Sequence, residues 1–152
     1  MINNIKKFKR ENSREVSDLI IKTFKEFNGE DSTKEGIKFF TEMYKKENIE
    51  EKWLKDYVII AKINNKIIGV GRAKKGGWIT HCYVDKEYMG KGIGSNLMNE
   101  LENWIKLTKD DKILLNSSPS ALQFYKKRGY KPAGNKLLYH GIPLYPMVKK
   151  LN

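Results

Sequence analysis

Cysteine occurs once in the 152 residues, and proline and arginine four times each. The lone Cys82 excludes an intramolecular disulfide and any cysteine-built zinc knuckle, and it fits a reducing cytoplasm. No apolar run approaches the roughly 20 residues of a membrane-spanning helix. The N-terminus also lacks the apolar core of a secretory leader, so a cytoplasmic protein without a membrane partner is expected. No repeat or low-complexity linker divides the chain. Residues 1–152 are therefore expected to form one domain, long enough to bury an ordinary core.

Acidic side chains are also in the minority, which leaves a formal net charge of +12. A basic chain suggests nucleic acid, an acidic acceptor or a polyanionic ligand. Here the lysines are scattered over nearly every segment, and no basic arm or known nucleic-acid motif gathers them. The pattern reads as a solvated lysine-rich surface, with no nucleic-acid partner expected.

Ile2 to Lys9 reads as an edge strand. Ser13 then reads as N-cap of a helix with Val16, Leu19, Ile20, Phe24 and Phe27 on one face, ended by Asn28-Gly29. Ser32 or Thr33 caps a second helix carrying Ile37, Phe40 and Tyr44, and Ile49 to Leu54 adds a short helical turn. Tyr57 to Ile63, Asn64-Asn65 and Lys66 to Arg72 read as a hairpin, followed by a strand at Trp78 to Val84. Ile93, Leu97, Leu101, Trp104 and Ile105 then mark one face of an amphipathic helix. Lys112 to Asn116 is a short strand, and Ser118-Pro119 reads as N-cap and N1 of a helix ending near Gly129. Lys136 to His140 and Tyr145 to Leu151 supply the last strands. This order predicts an α/β fold with a mixed, mostly antiparallel sheet of about six or seven strands and helices on both faces.

Between the Trp78–Val84 strand and the amphipathic helix lies Met89-Gly90-Lys91-Gly92-Ile93-Gly94. Glycines there permit positive φ and close ligand approach, while the first helical N–H groups and the dipole favour a phosphate or pyrophosphate. A P-loop is excluded because Gly92, not Ser or Thr, follows Lys91. A dinucleotide fingerprint fails because Ser95 stands where its third glycine belongs. The hexapeptide alone leaves open a ligand-free glycine-rich turn.

The run Tyr83 to Ser95 resembles the acetyl-coenzyme A binding motif of the GNAT superfamily of N-acetyltransferases. Ala121, Phe124, Tyr125, Gly129 and Tyr130 resemble its second signature, in the right order and at a usual separation. The similarity runs from about Val16 to Met147. It is close to a bacterial branch with an Asn-Ser-Ser-Pro run, here Asn116 to Pro119, and a Gly-Ile…Pro-Met ending, here Gly141 to Met147.

The resemblance implies a cofactor site made by the main chain of Cys82, Tyr83 and Val84 beside pantetheine. Met89, Gly90, Lys91, Gly92, Ile93, Gly94 and Ser95 would lie at the pyrophosphate, with Asn116 and Ser118 beside the pantetheine amides. Lys127 is a further phosphate candidate. Met89 departs from the family's Arg or Gln and removes a polar side chain there. Tyr125 matches the tyrosine that protonates the departing thiolate, a role suited to a phenol of pKa about 10. The usual Glu or His of the first site strand is replaced by Trp78, so the general base is unassigned. On an unbulged strand His81 points away from Trp78 and Cys82, and reads as a packed or surface residue. His140 is a weak acceptor-side candidate. Adjacent strand residues face opposite ways, so Cys82 with His81 makes a poor nucleophile-base dyad. Phe24, Phe27, Phe39, Phe40, Tyr44 and Trp53 belong to the early segments that shape the family's acceptor pocket, though such aromatics also build cores.

The expected activity is acetyl transfer from acetyl-CoA to a primary amine, of a small molecule or a protein, by direct attack in a ternary complex. No metal is expected, and the chain is expected to be a monomer or homodimer. The alternative is a coenzyme A binding or regulatory module with little turnover.

Overall fold

The computed structural model describes residues 4–151. Along the chain run β1 (Asn4–Lys7), α1 (Ser13–Asn28), α2 (Lys34–Met43), α3 (Lys46–Ile49), β2 (Tyr57–Ile63), β3 (Lys66–Lys74) and β4 (Trp78–Val84). They are followed by α4 (Ile93–Leu107), β5 (Lys112–Ser117), α5 (Leu122–Lys127), β6 (Lys131–Pro132), β7 (Leu137–Tyr139) and β8 (Ile142–Lys150). The beginning of the expected first strand, at Ile2, lies outside the described residues, and β1 ends at Lys7.

The strands form one sheet in the order β1-β2-β3-β4-β5-β8-β6, with β7 paired to β8. Every pairing is antiparallel except β4 with β5. Eight strands replace the expected six or seven, because two residues after Gly129, Lys131–Pro132, pair with Val148 and Met147. β8 also begins at Ile142 rather than Tyr145. Pro143 and Pro146 both sit inside the strand, opposite Leu138 and Asn116 respectively. His140 (φ 51°) and Gly141 (φ 84°) turn the two-residue β7–β8 hairpin, the backbone that its twist requires.

Alternation along β2 divides the apolar residues between two layers. Ile59 and Ala61 face α4 and α5, whereas Val58 and Ile60 face α1, α2 and Trp53. On α4, Ile93, Leu97, Leu101 and Ile105 are fully buried, and Trp104 stacks on Tyr57 with centroids 5.0 Å apart. Gly71 brings this helix down onto the sheet, since a Cβ there would stand 2.9 Å from Leu101 Cδ1. Burying four such side chains contributes on the order of 8 kcal/mol.

One expected cap shifts and another holds. A 3₁₀ turn at Arg10–Asn12 precedes α1, so Asn12 is its N-cap and Ser13 Oγ donates to the Arg10 carbonyl instead. Thr33 does cap α2, its Oγ1 accepting from Gly36 N at 3.0 Å.

Candidate active site

β4 and β5 meet at one register position, Trp78 opposite Leu114, and then part. Beyond it the β5-facing edge of β4 has no strand partner among the described residues, which leaves peptide groups free to bond a ligand as a further strand would. Cys82, Tyr83, Val84, Leu115 and Asn116 line the resulting opening. It belongs to one cleft of about 760 Å³, a size suited to a sizeable ligand.

The glycine loop closes one end. Gly90 (φ 76°) and Gly92 (φ 84°) are left-handed, and a Cβ on either would find nothing within 4 Å. Gly92 is the N-cap of α4, and among the described residues no side chain caps it. The first helical bond runs from Asn96 N to Gly92 O, so the N–H groups of Ile93, Gly94 and Ser95 have no partner within the helix. Open space before three free donors at a helix start is a place for an anion, and it fits a pyrophosphate. Asp85, 4% exposed, steadies the approach by accepting from Glu87 N at 3.0 Å, with Lys22 and Lys66 within 4 Å of its carboxylate.

The expected site residues distribute as follows. Met89, Gly90, Gly92, Ile93, Gly94 and Ser95 line the cleft on the loop side, and Ser118 and Tyr125 line the opposite wall. Lys91 does not line it; its ammonium lies 5.4 Å from the Tyr88 ring centre, so only its backbone belongs to the loop. Lys127 also lies outside the lining. Ser118 precedes a 3₁₀ turn, Pro119–Ala121, rather than α5 itself, and makes no side-chain cap. Its Oγ is 3.1 Å from Ser120 Oγ, which in turn donates to Asn28 Oδ1 at 3.3 Å.

Tyr125 is 8% exposed, packed edge-on against Phe124 (5.2 Å) and Tyr130 (5.8 Å). Burial foremost, then Cys82 and Tyr83, push its phenol well above the usual range, so it keeps its proton at neutral pH. A buried network fixes the end of α5. Glu102 of α4 accepts from Arg128 Nη2 (3.0 Å) and Tyr130 OH (2.8 Å), with Lys149 Nζ at 3.5 Å.

The strand-parity expectation for His81 requires correction. β4 carries a bulge: Ile79 pairs with Ala73 and His81 with Arg72, which leaves Thr80 as the extra residue. The bulge places His81 on the same side of the sheet as Trp78, although it still opposes Cys82. His81 is 4% exposed, its Nδ1 2.9 Å from Thr80 Oγ1, and it packs against Tyr44, Trp53 and Tyr83. Burial, then Arg72 and Lys74, hold its pKa well below the ordinary value, so the ring is neutral. Cys82 Sγ lies 3.7 Å from the Gly94 carbonyl, and burial pushes its thiol up to about 12. A thiol so protonated is no nucleophile at neutral pH.

The far end of the cleft is aromatic. Phe24, Phe27, Phe39, Phe40 and Tyr44 line it, whereas Trp53 is buried in the layer behind, under the Arg72 guanidinium. Trp78 lines the cleft and is 38% exposed. His140 does not line it; the ring stacks behind Phe39 at 3.8 Å. Sequence reasoning missed Thr23, Asn28, Met43, Ser120 and Tyr139, all of which line the cleft. Helical spacing already put Thr23 and Asn28 beside Phe24 and Phe27, but nothing in the sequence placed Tyr139 against α2.

The sequence model of the acetyltransferase (GNAT) domain family matches residues 28–151. No curated protein matches the chain in sequence. Among solved structures, a GCN5-related N-acetyltransferase from Rhodopseudomonas palustris superposes with a TM-score of 0.89 at 18% identity, over 99% of this chain and 97% of that one. The PaiA N-acetyltransferase from Thermoplasma acidophilum, in complex with coenzyme A, gives 0.81 at 21% identity over 99% of each chain. A GNAT-family acetyltransferase from Staphylococcus aureus gives 0.76 at 22% identity, over 99% of this chain and all of that one. At these identities the likeness establishes the fold, while the family match over most of the sequence establishes descent. The chain belongs to the GNAT acetyltransferase family and is an acetyl-CoA dependent acyltransferase.

Proposed function

We propose that the protein transfers an acetyl group from acetyl-CoA directly to a primary amine, with both held in the one cleft. The observation that carries this reading is the continuity of that cleft. It runs from the free N–H groups of Ile93, Gly94 and Ser95, past the unpaired edge of β4, to the aromatic end between α1 and α2.

Acetyl-CoA, when bound, supplies an activated thioester. The loop amides and left-handed Gly90 and Gly92 would hold its pyrophosphate, and the β4 edge at Cys82, Tyr83 and Val84, with Asn116 and Ser118 opposite, would hold the pantetheine arm. A β4 amide near the thioester carbonyl would stabilise the charge that develops on its oxygen, a contribution of about 3 kcal/mol for one such donor. Transfer forms one N–C bond and breaks one C–S bond. The departing sulfur needs a proton, which Tyr125 retains at neutral pH and recovers afterwards from solvent.

The amine must arrive unprotonated. Among the described residues no carboxylate lines the cleft, and His81 is too weak a base to replace one. Apolar walls and a protein of net charge +12 disfavour an ammonium, so they lower the pKa of the amine itself. The released proton passes to water.

The test has two parts. Acetyl-CoA should raise the thermal midpoint, since a ligand of the folded form alone stabilises it by mass action, and thiol release should then depend on added amine. Cofactor protection without amine-dependent release would return the chain to the binding-module reading.

A further inference from the structure

Every described residue that lines the cleft is uncharged as a residue type or, for His81, held neutral: there is no Asp, Glu, Lys or Arg among them. At the acceptor end the walls are Phe39, Phe40, Met43, Tyr44, Trp78 and Tyr139. Burial raises the Tyr44 phenol, so its hydroxyl stays neutral there too.

The charged residue paired with His81 on β3 is committed elsewhere. Arg72, beside His81 in the sheet, is held by Asp56 through Nε at 2.9 Å and Nη2 at 2.7 Å, and its guanidinium lies over Trp53 at 4.7 Å. It does not line the cleft. Phe24 and Phe40 stack at 3.8 Å and give that end a rigid apolar floor.

From this lining we infer that the acceptor is a small primary monoamine with an apolar or aromatic body and no second charge. The inference rests on the acetyl-transfer reading above and narrows it. One amine nitrogen reaches the thioester as a neutral group, while the rest of the acceptor is buried against rings and a thioether. A diamine or polyamine would bring a second ammonium into a pocket with no carboxylate to pair it, and an amino acid would bring a carboxylate with no cation. Both would leave a charge desolvated and unpaired, so the lining excludes them as well as welcoming the apolar body.

The experiment compares kcat/KM for 2-phenylethylamine and hexylamine with that for putrescine, spermidine, phenylalanine and a lysine peptide, with acetyl-CoA saturating. The expected result is a preference of at least tenfold for the two apolar monoamines. Met43→Glu places a carboxylate on the half-buried end of α2 and should raise putrescine relative to 2-phenylethylamine at least tenfold, with acetyl-CoA still raising the thermal midpoint. Equal or better use of putrescine, spermidine, phenylalanine or the peptide by the wild-type protein would overturn the acceptor class and leave acetyl transfer standing. Thiol release with none of the amines, despite thermal protection by acetyl-CoA, would overturn both.

Discussion

Tyr125→Phe separates chemistry from packing, because the ring is buried and its hydroxyl makes no hydrogen bond to the protein among the described residues. Removing the hydroxyl keeps the edge-on contacts with Phe124 and Tyr130 and orphans no protein donor. The change in unfolding free energy should therefore stay below about 1 kcal/mol. Acetyl-CoA affinity should hold within a few-fold, since the loop and the β4 edge are untouched. Loss of a positioned acid lowers turnover by roughly 10²- to 10⁴-fold, equivalent to about 3–5 kcal/mol of barrier. Thermal shift reports binding, and coenzyme A thiol release with an accepted amine reports rate. Because burial raises the phenol above its ordinary pKa near 10, the wild-type rate should not fall from loss of this proton between pH 7 and 10. Turnover within a few-fold of wild type in the Phe variant would refute the acid role and leave Tyr125 as part of the wall.

Four further outcomes follow from the same geometry. Gly92→Val forces a β-branched residue to φ 84° at the N-cap of α4, which costs about 2 kcal/mol and should abolish the thermal shift with acetyl-CoA; an unchanged shift in the folded variant would remove the loop from the site. Cys82→Ala should retain turnover within several-fold, because a thiol held near pKa 12 forms no acetyl-cysteine at neutral pH; a hundredfold loss measured by thiol release would restore that intermediate. Glu102→Ala leaves Arg128 and Lys149 without their shared carboxylate and should cost about 3 kcal/mol by denaturant titration, a value under 1 kcal/mol marking the pair as solvent-screened. His81 is neutral in the fold but takes a proton below about pH 6.5 when unfolded, so its contribution is fully present above that pH and is lost as pH falls. Wild type should lose up to about 1.4 kcal/mol per pH unit more than His81→Gln below pH 6.5, and parallel stability curves would contradict this.

The sequence by itself determined most of the elements and the two signatures. The 3.6-residue pattern of Ile93, Leu97, Leu101 and Ile105 and the apolar runs of β2 to β4 are local signals, since each follows from which face of a helix or strand must leave water. The glycine loop was legible for a similar reason: left-handed Gly90 and Gly92 are choices of the backbone, and glycine is the residue that makes them at little cost. The start of β8 was less legible: it runs from Ile142, with Pro143 and Pro146 inside the strand, rather than from Tyr145.

Only the tertiary structure decided what lies between those elements. The bulge at Thr80 depends on how β3 and β4 register, and it alone brings His81 to the side of Trp78. The parting of β4 from β5 after Trp78 and Leu114 is a pairing that does not form, so no residue of either strand encodes it singly. Phe39 and Phe40 line the cleft while Trp53 stands behind it, and Tyr139 arrives from a hairpin a hundred residues away. Whether an aromatic faces a core or a cavity depends on the element packed opposite. That is a property of distant chain segments meeting, which local pattern does not carry.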